Sequence, residues 1–159
     1  MQNLTGKLSA IVTPGLELAF EDTRNQIIEH ETPGGDRIER EIQTCGPASL
    51  LVLKGLAIHE REKWKDYYDI FYLLRNWPEG TEDIAEQMIK LKRFDKGGNV
   101  KTCMENLRLD FQSIDHVGPR NVARFFFGEE LGTLQIENQE IDQLRRQAEV
   151  LVNELLTYL

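Results

Sequence analysis

The residue types best suited to chemistry are concentrated in one stretch, LKGLAIHEREKWKDYYDIFYLL, which covers residues 53–74. Lys54, Arg61 and Lys65 are separated by seven and four residues, so on one continuous helix they would lie along a single stripe. A break in the helix near Lys63 would change that alignment. Cations arranged in this way could hold the phosphate groups of an anionic ligand.

Two carboxylates follow the cations. Asp66 and Asp69 lie one helical turn apart, and Lys65 and Asp69 are i,i+4 neighbours, so both pairs would be close together on a helix. Four cations and two glutamates from Lys54 to Lys65 leave this stretch with a net charge of +2, whereas the whole chain carries -8. A basic region in an acidic protein is typical of a site for an anion such as a triphosphate. The same spacing fits a ladder of salt bridges on a solvated helix face, and both interpretations stay open.

The composition excludes several classes of protein. The chain has 159 residues, which fits one domain, residues 1–159. A net charge of -8 disfavours general binding of nucleic acid or membrane surfaces. Cys45 and Cys103 are too few for a disulfide scaffold or a four-thiolate zinc site, and each is expected to be a small buried residue. No apolar run reaches about 18 residues, and the first residues lack the features of a secretory signal. We therefore expect a cytoplasmic protein without a membrane span.

The chain changes character near residue 46. Residues 1–45 predict three or four short, mostly antiparallel strands within GLELAF, RNQIIEH and DRIEREIQT, separated by turns at VTPG and TPGGD. Ile38 and Ile42 are expected on one face of the last strand. From Gly46 onward the apolar spacing is helical, so the predicted fold is α+β, with a small N-terminal antiparallel sheet followed by a mainly helical body. Five or six helices are expected. The first begins at Pro47 and ends near residues 62–63, and the second begins at Lys65. Thr81 and Asn99 are expected to cap the third and fourth, Pro119 to open the fifth after a loop at residues 115–120, and the last begins near Glu137.

The last helix carries apolar residues at spacings of three and four, namely Ile141, Leu144, Ala148, Leu151, Leu155 and Tyr158. This is a heptad seam of under three repeats, which is too short to indicate a true coiled coil. Packing on its own domain and a contact between two copies of the chain in a homodimer both stay open.

The remaining candidates have simpler explanations. His59 is expected to be a surface group, and His116 is expected to fix its loop, with Asp115 beside it. An aromatic stripe predicts core packing, with base stacking by Tyr68 or Tyr72 as the alternative; its members are Tyr67, Tyr68, Phe71, Tyr72 and Trp77.

Three motifs in order resemble a known family. Lys54 on the first helix is followed by a basic cluster at Arg61 and Lys63, and then by the KDYYDI helix that contains Asp66 and Asp69. This order is similar to the C-terminal motif pair of the AbiEii/AbiGii toxin-type nucleotidyltransferases, a branch of the polymerase-beta-like superfamily. With the flanking segments, the likeness covers roughly residues 13–127.

The resemblance implies roles for six residues. Lys54 would contact the phosphates of a nucleoside triphosphate, and Asp69 would be the acid near the active site that orients Lys54 or the substrates. Other substrate-binding roles would fall to Arg61, Lys63 and Lys65, which would steer phosphate or acceptor, and to Asp66, which would pair with a nearby cation. The reaction implied is Mg²⁺-dependent transfer of a nucleotidyl group to an RNA or protein hydroxyl.

The sequence departs from the family at its N-terminal side. Residues 1–45 contain neither the Gly-Ser loop nor the D-x-D pair that would bind Mg²⁺; Glu39 and Glu41 are among the closest patterns. Mg²⁺ is expected of the family, but its ligands are not identified here. The expectation is a C-terminal part whose other half is missing or is a separate chain. Catalysis is therefore doubtful, and a non-catalytic binding or assembly protein of the same ancestry stays open. An antitoxin is the other partner implied.

Overall fold

The computed structural model of the protein describes residues 13–61, 63–128 and 138–159. Within these residues a short N-terminal turn of 3-10 helix precedes a two-stranded antiparallel hairpin and six α-helices, which confirms the predicted α+β class. The 3-10 helix is Leu16–Phe20, and the other elements are β1 (Thr23–Glu31), β2 (Arg37–Cys45), α1 (Pro47–Glu60), α2 (Trp64–Asn76), α3 (Gly80–Leu91), α4 (Asn99–Asp110), α5 (Val117–Phe127) and α6 (Asn138–Thr157). None of the helices described is long and apolar enough to cross a membrane.

The hairpin forms where the sequence predicts it. The predicted TPGGD turn joins β1 to β2, with the Thr32 amide donating to the Asp36 carbonyl at 2.8 Å. Gly35 has a φ of 89°, which residues other than glycine rarely adopt. Because side chains alternate along a strand, Ile38 and Ile42 lie on the same face, as expected.

The strand predicted for GLELAF is wrong. Leu16–Phe20 is a 3-10 helix that begins after Gly15, whose φ is 75°. Leu18 is completely buried in the core, whereas Phe20 is 76% exposed, so the period-two alternation does not correspond to two sheet faces. The described residues therefore contain two strands rather than three or four. Residues 1–12, which the prediction also covered, lie outside the described residues.

Helix α1 is the centre of the helical body. It packs against α2, α3 and α4, and Pro47 occupies its first turn as predicted. Leu51, Val52 and Ile58 are almost completely buried, as expected for a helix that has neighbours on several sides. The helix ends at Glu60, slightly before the predicted end, and the Arg61 amide donates to the Ala57 carbonyl at 3.2 Å.

Three predicted helix starts are corrected by the structure. Thr81 is not an N-cap, because α3 begins one residue earlier and Thr81 is buried inside it. Asn99 is not the cap of α4 but its first residue. The side chain of Asp95 accepts the hydrogen bonds of the first two backbone amides of this helix. Pro119 does not open α5, which begins at Val117 and so takes in part of the predicted loop.

Helix α6 packs on its own chain, one of the two interpretations of its apolar seam. Ile141, Leu144, Ala148 and Leu155 are buried and belong to the same core as α1 and α2. Tyr158 is 42% exposed. A homodimer contact through α6 stays a prediction.

Candidate functional site

The break between α1 and α2 determines the geometry of the site. Because α1 ends at Glu60 and α2 begins at Trp64, the helix is broken near Lys63, and the cations do not lie along the single stripe that one continuous helix would give. Instead α2 folds back beside α1, and Lys54 of α1 meets both carboxylates of α2. Lys54 Nζ lies 2.7 Å from Asp66 Oδ1 and 2.5 Å from Asp69 Oδ2.

Asp66 is the buried centre of this arrangement. Its side chain is 3% exposed, and Arg61 binds it in a bidentate manner, through Nε at 2.9 Å and Nη2 at 3.0 Å. Lys54 provides the third hydrogen bond, so both carboxylate oxygens accept from cations. The predicted pairing of Asp66 with a nearby cation therefore occurs, with two cations rather than one.

Asp69 lies at the more open end. Lys65 Nζ donates to both of its oxygens, at 2.7 and 2.8 Å, which is the i,i+4 pair expected from the spacing. We refer to the five connected side chains as the Lys54 cluster; they are Lys54, Arg61, Lys65, Asp66 and Asp69. Three positive and two negative charges leave the cluster with a net charge of +1.

Lys63 is the one sequence-predicted site residue that does not join the cluster. Its side chain is exposed and forms no ion pair with any residue that the structure describes. Its backbone carbonyl accepts from the Asp66 amide at 3.0 Å, because Lys63 precedes the first turn of α2. The structure thus brings five of the six predicted residues together.

The charges in the cluster stabilise one another. Burial on its own would raise the pKa of Asp66, but the hydrogen bonds and positive charges of Lys54 and Arg61 outweigh it and hold this pKa below its usual range. Burial would lower the pKa of Lys54, but its hydrogen bonds to Asp66 and Asp69 and their negative charges raise it. These shifts keep both Lys54 and Asp66 charged at neutral pH.

Lys54 lies between two cavities. One has a volume of about 290 Å³ and is lined by Lys54, Asp69 and mostly apolar or aromatic side chains, among them Tyr72 and Trp77. The other has a volume of about 320 Å³ and is lined by Lys54, Arg61 and residues of α1 and the N-terminal turn. A ligand could thus contact Lys54 from either side.

Some side chains of the aromatic stripe lie in the core, and others lie near the Lys54 cluster. Tyr67 and Phe71 are buried in the core, as predicted. Tyr68 packs against Phe125, with ring centroids 4.8 Å apart. Tyr72 is 56% exposed and lines the cavity beside Asp69, so it is the member of the stripe that is available for stacking.

The sequence did not indicate a second polar cluster. His59, expected on the surface, has Nε2 3.0 Å from Asp110 Oδ2, and Tyr67 Oη donates to the same oxygen at 2.9 Å. Asp110 is 4% exposed. His59 and Asp110 are 51 positions apart, and no local pattern connects them. His116 fixes its loop as expected, but through Ser113 Oγ at 2.8 Å.

Both cysteines were predicted to be small buried residues, and Cys103 confirms this. It is completely buried, and this burial raises the pKa of its thiol to about 12. Cys45, at the end of β2, is only partly buried.

The described residues do not provide a site that suits Mg²⁺. No group of three or more metal-ligating side chains occurs within residues 13–61, 63–128 and 138–159. Both oxygens of Asp66 and of Asp69 accept hydrogen bonds from cations, which competes with coordination of a metal. Glu41 on β2, which the sequence offered as part of a carboxylate pair, accepts a hydrogen bond from the side-chain amide of Asn25 at 2.8 Å. Asp66 and Asp69 are thus arranged to hold cationic side chains rather than a metal ion.

A comparison with protein families finds a match over most of the chain. Residues 13–149 match the family model described as nucleotidyl transferase AbiEii toxin, type IV TA system. The chain belongs to this family, whose members are nucleotidyltransferases and as such generally use divalent metals. No curated protein and no solved structure matches the chain.

Proposed function

We propose that the protein is a nucleotidyltransferase-type toxin whose Lys54 cluster binds the phosphates of a nucleoside triphosphate. The observation that carries the proposal is the position of Lys54 Nζ, which Asp66 and Asp69 hold between two cavities. A lysine fixed in this way meets a phosphate without a large loss of side-chain entropy. The proposal rests on this geometry together with membership of the family.

The residues around Lys54 have different roles in this proposal. Asp66 positions Lys54 and Arg61 from its buried place, while Asp69 lies at the cavity edge and is the acid nearest to a bound substrate in this proposal. Arg61 uses Nε and Nη2 for Asp66 and has no hydrogen bond from Nη1 to a described residue, so Nη1 is available to a phosphate oxygen. Lys63 and Lys65 are exposed and would steer the triphosphate or the acceptor.

The cavity beside Asp69 suits the base of the nucleotide. Its lining is mainly apolar, and Tyr72 offers a ring face for stacking next to Lys54. Tyr72 is more than half exposed, so stacking there costs no rearrangement of the core. A base in this cavity would use its apolar lining, and phosphates at Lys54 would use its charged edge.

Catalysis requires carboxylates beyond those described. Mg²⁺ is expected of the family, and its ligands would come from residues outside those described or from a second chain. Within the described residues the chain binds and orients the nucleotide. A separate chain with the missing motifs and an antitoxin are the partners that we propose, and the cytoplasm, which holds the triphosphates, is the location.

Isothermal titration with ATP, GTP, CTP and UTP, with and without Mg²⁺, tests the proposal. At least one nucleotide should bind, and Lys54→Ala should weaken binding about tenfold or more. Lys101→Ala is the matched control, because this lysine is 82% exposed on α4 and pairs only with Glu105 among the described residues. If no nucleotide binds and Lys54→Ala changes nothing, the Lys54 cluster is not a nucleotide site.

A second candidate is a non-catalytic binding or assembly protein. Its support is that Asp66 and Asp69 are occupied by cations and that no described cluster of acids could hold a metal. This candidate predicts nucleotide binding without transfer of a labelled nucleotidyl group to RNA or protein, even with Mg²⁺. If it assembles as a homodimer through α6, Val150→Glu should reduce the sedimenting mass, since Val150 is 54% exposed.

A further inference from the structure

Three arginines come together on the side of the molecule formed by α5 and α6. Arg120 and Arg124 are i,i+4 neighbours on α5, and Arg145 approaches them from α6. All three line one cavity of about 530 Å³, together with the side chains of Val117 and Asn121. In a chain of net charge -8, this concentration of guanidinium groups requires a physical explanation.

The arginines have few acidic partners. Arg145 Nη1 lies 3.6 Å from Asp142 Oδ1, and this is the one ion pair that the three arginines form with described residues. Arg145 Nε is buried and has no hydrogen-bond partner among the described residues. A buried donor without a partner is destabilising, so a ligand that accepts a hydrogen bond there would stabilise the protein.

The site is also held in shape. The guanidinium of Arg124 stacks on the ring of Trp64, with Cζ 3.4 Å from the ring centroid. Stacking fixes the plane of the guanidinium and leaves its N–H edge available for an acceptor. Trp64 is the first residue of α2, so this contact holds Arg124 of α5 against α2.

A second cavity continues the first. It has a volume of about 480 Å³ and shares Val117 and Asn121 with the arginine cavity. Its lining includes His59 and Asp110, and the hydrogen bond of His59 Nε2 to the buried Asp110 orients the imidazole ring. Neither cavity shares a lining residue with the two cavities beside Lys54.

We propose that Arg120, Arg124 and Arg145 form a binding site for the terminal phosphate group of a phosphate monoester, whose organic part extends toward His59. A monoester phosphate is largely dianionic above pH 7 and has three terminal oxygens, which suits three guanidinium groups better than a singly charged diester does. This site is separate from the Lys54 cluster and does not depend on the function proposed for it.

Titration of the full chain at pH 8 and constant ionic strength tests this site. The probes are inorganic phosphate, glycerol phosphate as a monoester, and dimethyl phosphate as a diester, followed by calorimetry and by the NMR signals of the arginine Nε–H groups. We expect the first two probes to bind with a Kd of about 1 mM or lower and to shift the Arg145 Nε–H signal. Dimethyl phosphate should bind about tenfold more weakly.

Variants separate this site from the rest of the surface. Arg120→Gln combined with Arg124→Gln should weaken binding of glycerol phosphate about tenfold or more. Arg108→Gln is the matched control, because Arg108 is exposed on α4 and forms no ion pair with a described residue. Lys54 lines neither of these cavities, so Lys54→Ala should leave the shift of the Arg145 Nε–H signal by glycerol phosphate unchanged. Since Arg120 and Arg124 are both exposed, the double variant should fold, and circular dichroism checks this.

The proposal would be overturned by no saturable binding of either phosphate probe, by equal binding by the double arginine variant, or by equal affinity for the diester. Loss of binding in Lys54→Ala with no change in the arginine variant would assign the phosphate to the Lys54 cluster, and would also overturn it. Failure of this site leaves the proposed nucleotide site untouched, since that is tested by nucleotides and by Lys54→Ala.

Discussion

Lys54 of α1 and Asp66 of α2 form a salt bridge of 2.7 Å across the break between the two helices. The carboxylate is almost completely buried, whereas the lysine side chain is 20% exposed. This contact joins the helix at the centre of the fold to the helix that carries Asp69. Stability of the fold and geometry of the candidate site therefore depend on the same pair of residues.

Asp66→Asn should destabilise the protein by about 2–3 kcal/mol. Removal of one partner from a buried ion pair typically costs about 3–5 kcal/mol, and we reduce this figure because Lys54 and Arg61 are partly exposed. Chemical denaturation measures the change in the free energy of unfolding. Asp115→Asn is the matched control, since Asp115 is exposed and should change stability by less than about 0.5 kcal/mol. Equal effects of the two substitutions would show that the Asp66 pair contributes little.

The free energy of unfolding should fall as the pH is lowered below about 4. The pKa values of Asp66 and Asp95 are both held below the usual range in the folded protein. For Asp95, burial would raise the pKa, but hydrogen bonds from the Val100 and Asn99 amides outweigh it. The folded state thus binds fewer protons than the unfolded state, so the stabilisation is present above the unfolded pKa and is lost as the pH falls through the folded one.

Denaturation at a series of pH values between about 2 and 6 checks this sign. A variant with both Asp66→Asn and Asp95→Asn should show a smaller dependence on pH than the natural chain. An unchanged slope would mean that other carboxylates are responsible.

Asp95→Ala should cost about 1–2 kcal/mol, because Asp95 acts as the cap of α4. Its Oδ1 accepts from the Asn99 amide at 3.0 Å, and its Oδ2 accepts from the Val100 amide at 2.7 Å. Asp95→Asn retains one acceptor oxygen and should recover part of the loss. Thermal denaturation ranks the stabilities of the two variants and the natural chain. An alanine variant as stable as the natural chain would contradict the capping role.

Gly55→Ala should destabilise the packing of α1 on α4 by about 1–3 kcal/mol. A Cβ atom on residue 55 would clash with Cys103 Sγ of α4. A double-mutant cycle with Cys103→Ala tests this contact, because removal of the sulfur should make Gly55→Ala less costly. Additive effects of the two substitutions would show that the loss of stability has another cause.

Lys54 is adjacent to Gly55, so the same variants should also alter nucleotide binding if the Lys54 cluster binds nucleotides.

Local features of the site were predictable from the sequence. The Lys65–Asp69 pair follows from an i,i+4 spacing on a helix, and the start of α1 at Pro47 follows from the chemistry of proline. The α+β class followed from the change of apolar spacing near residue 46. Each of these depends on residues that are close in the sequence, where geometry is fixed by one type of element.

Features that depend on distant residues were missed or corrected. Leu16–Phe20 alternates like a strand but folds as a 3-10 helix, because burial of Leu18 against the core outweighs a weak local preference. Thr81 resembles an N-cap, yet α3 begins before it. The pairing of His59 with Asp110, and the approach of Arg145 to the arginines of α5, join residues that no local pattern relates.

The sequence by itself determined the helix that carries Asp66 and Asp69, the basic residues near it and the family to which these motifs point. Tertiary structure alone decided that Lys54 meets both carboxylates, that Arg61 binds Asp66, and that Lys63 remains outside. The physical reason is the break between α1 and α2. Spacing along the chain fixes neighbours within one helix, but only the packing of two helices against a shared core brings charges from both into contact.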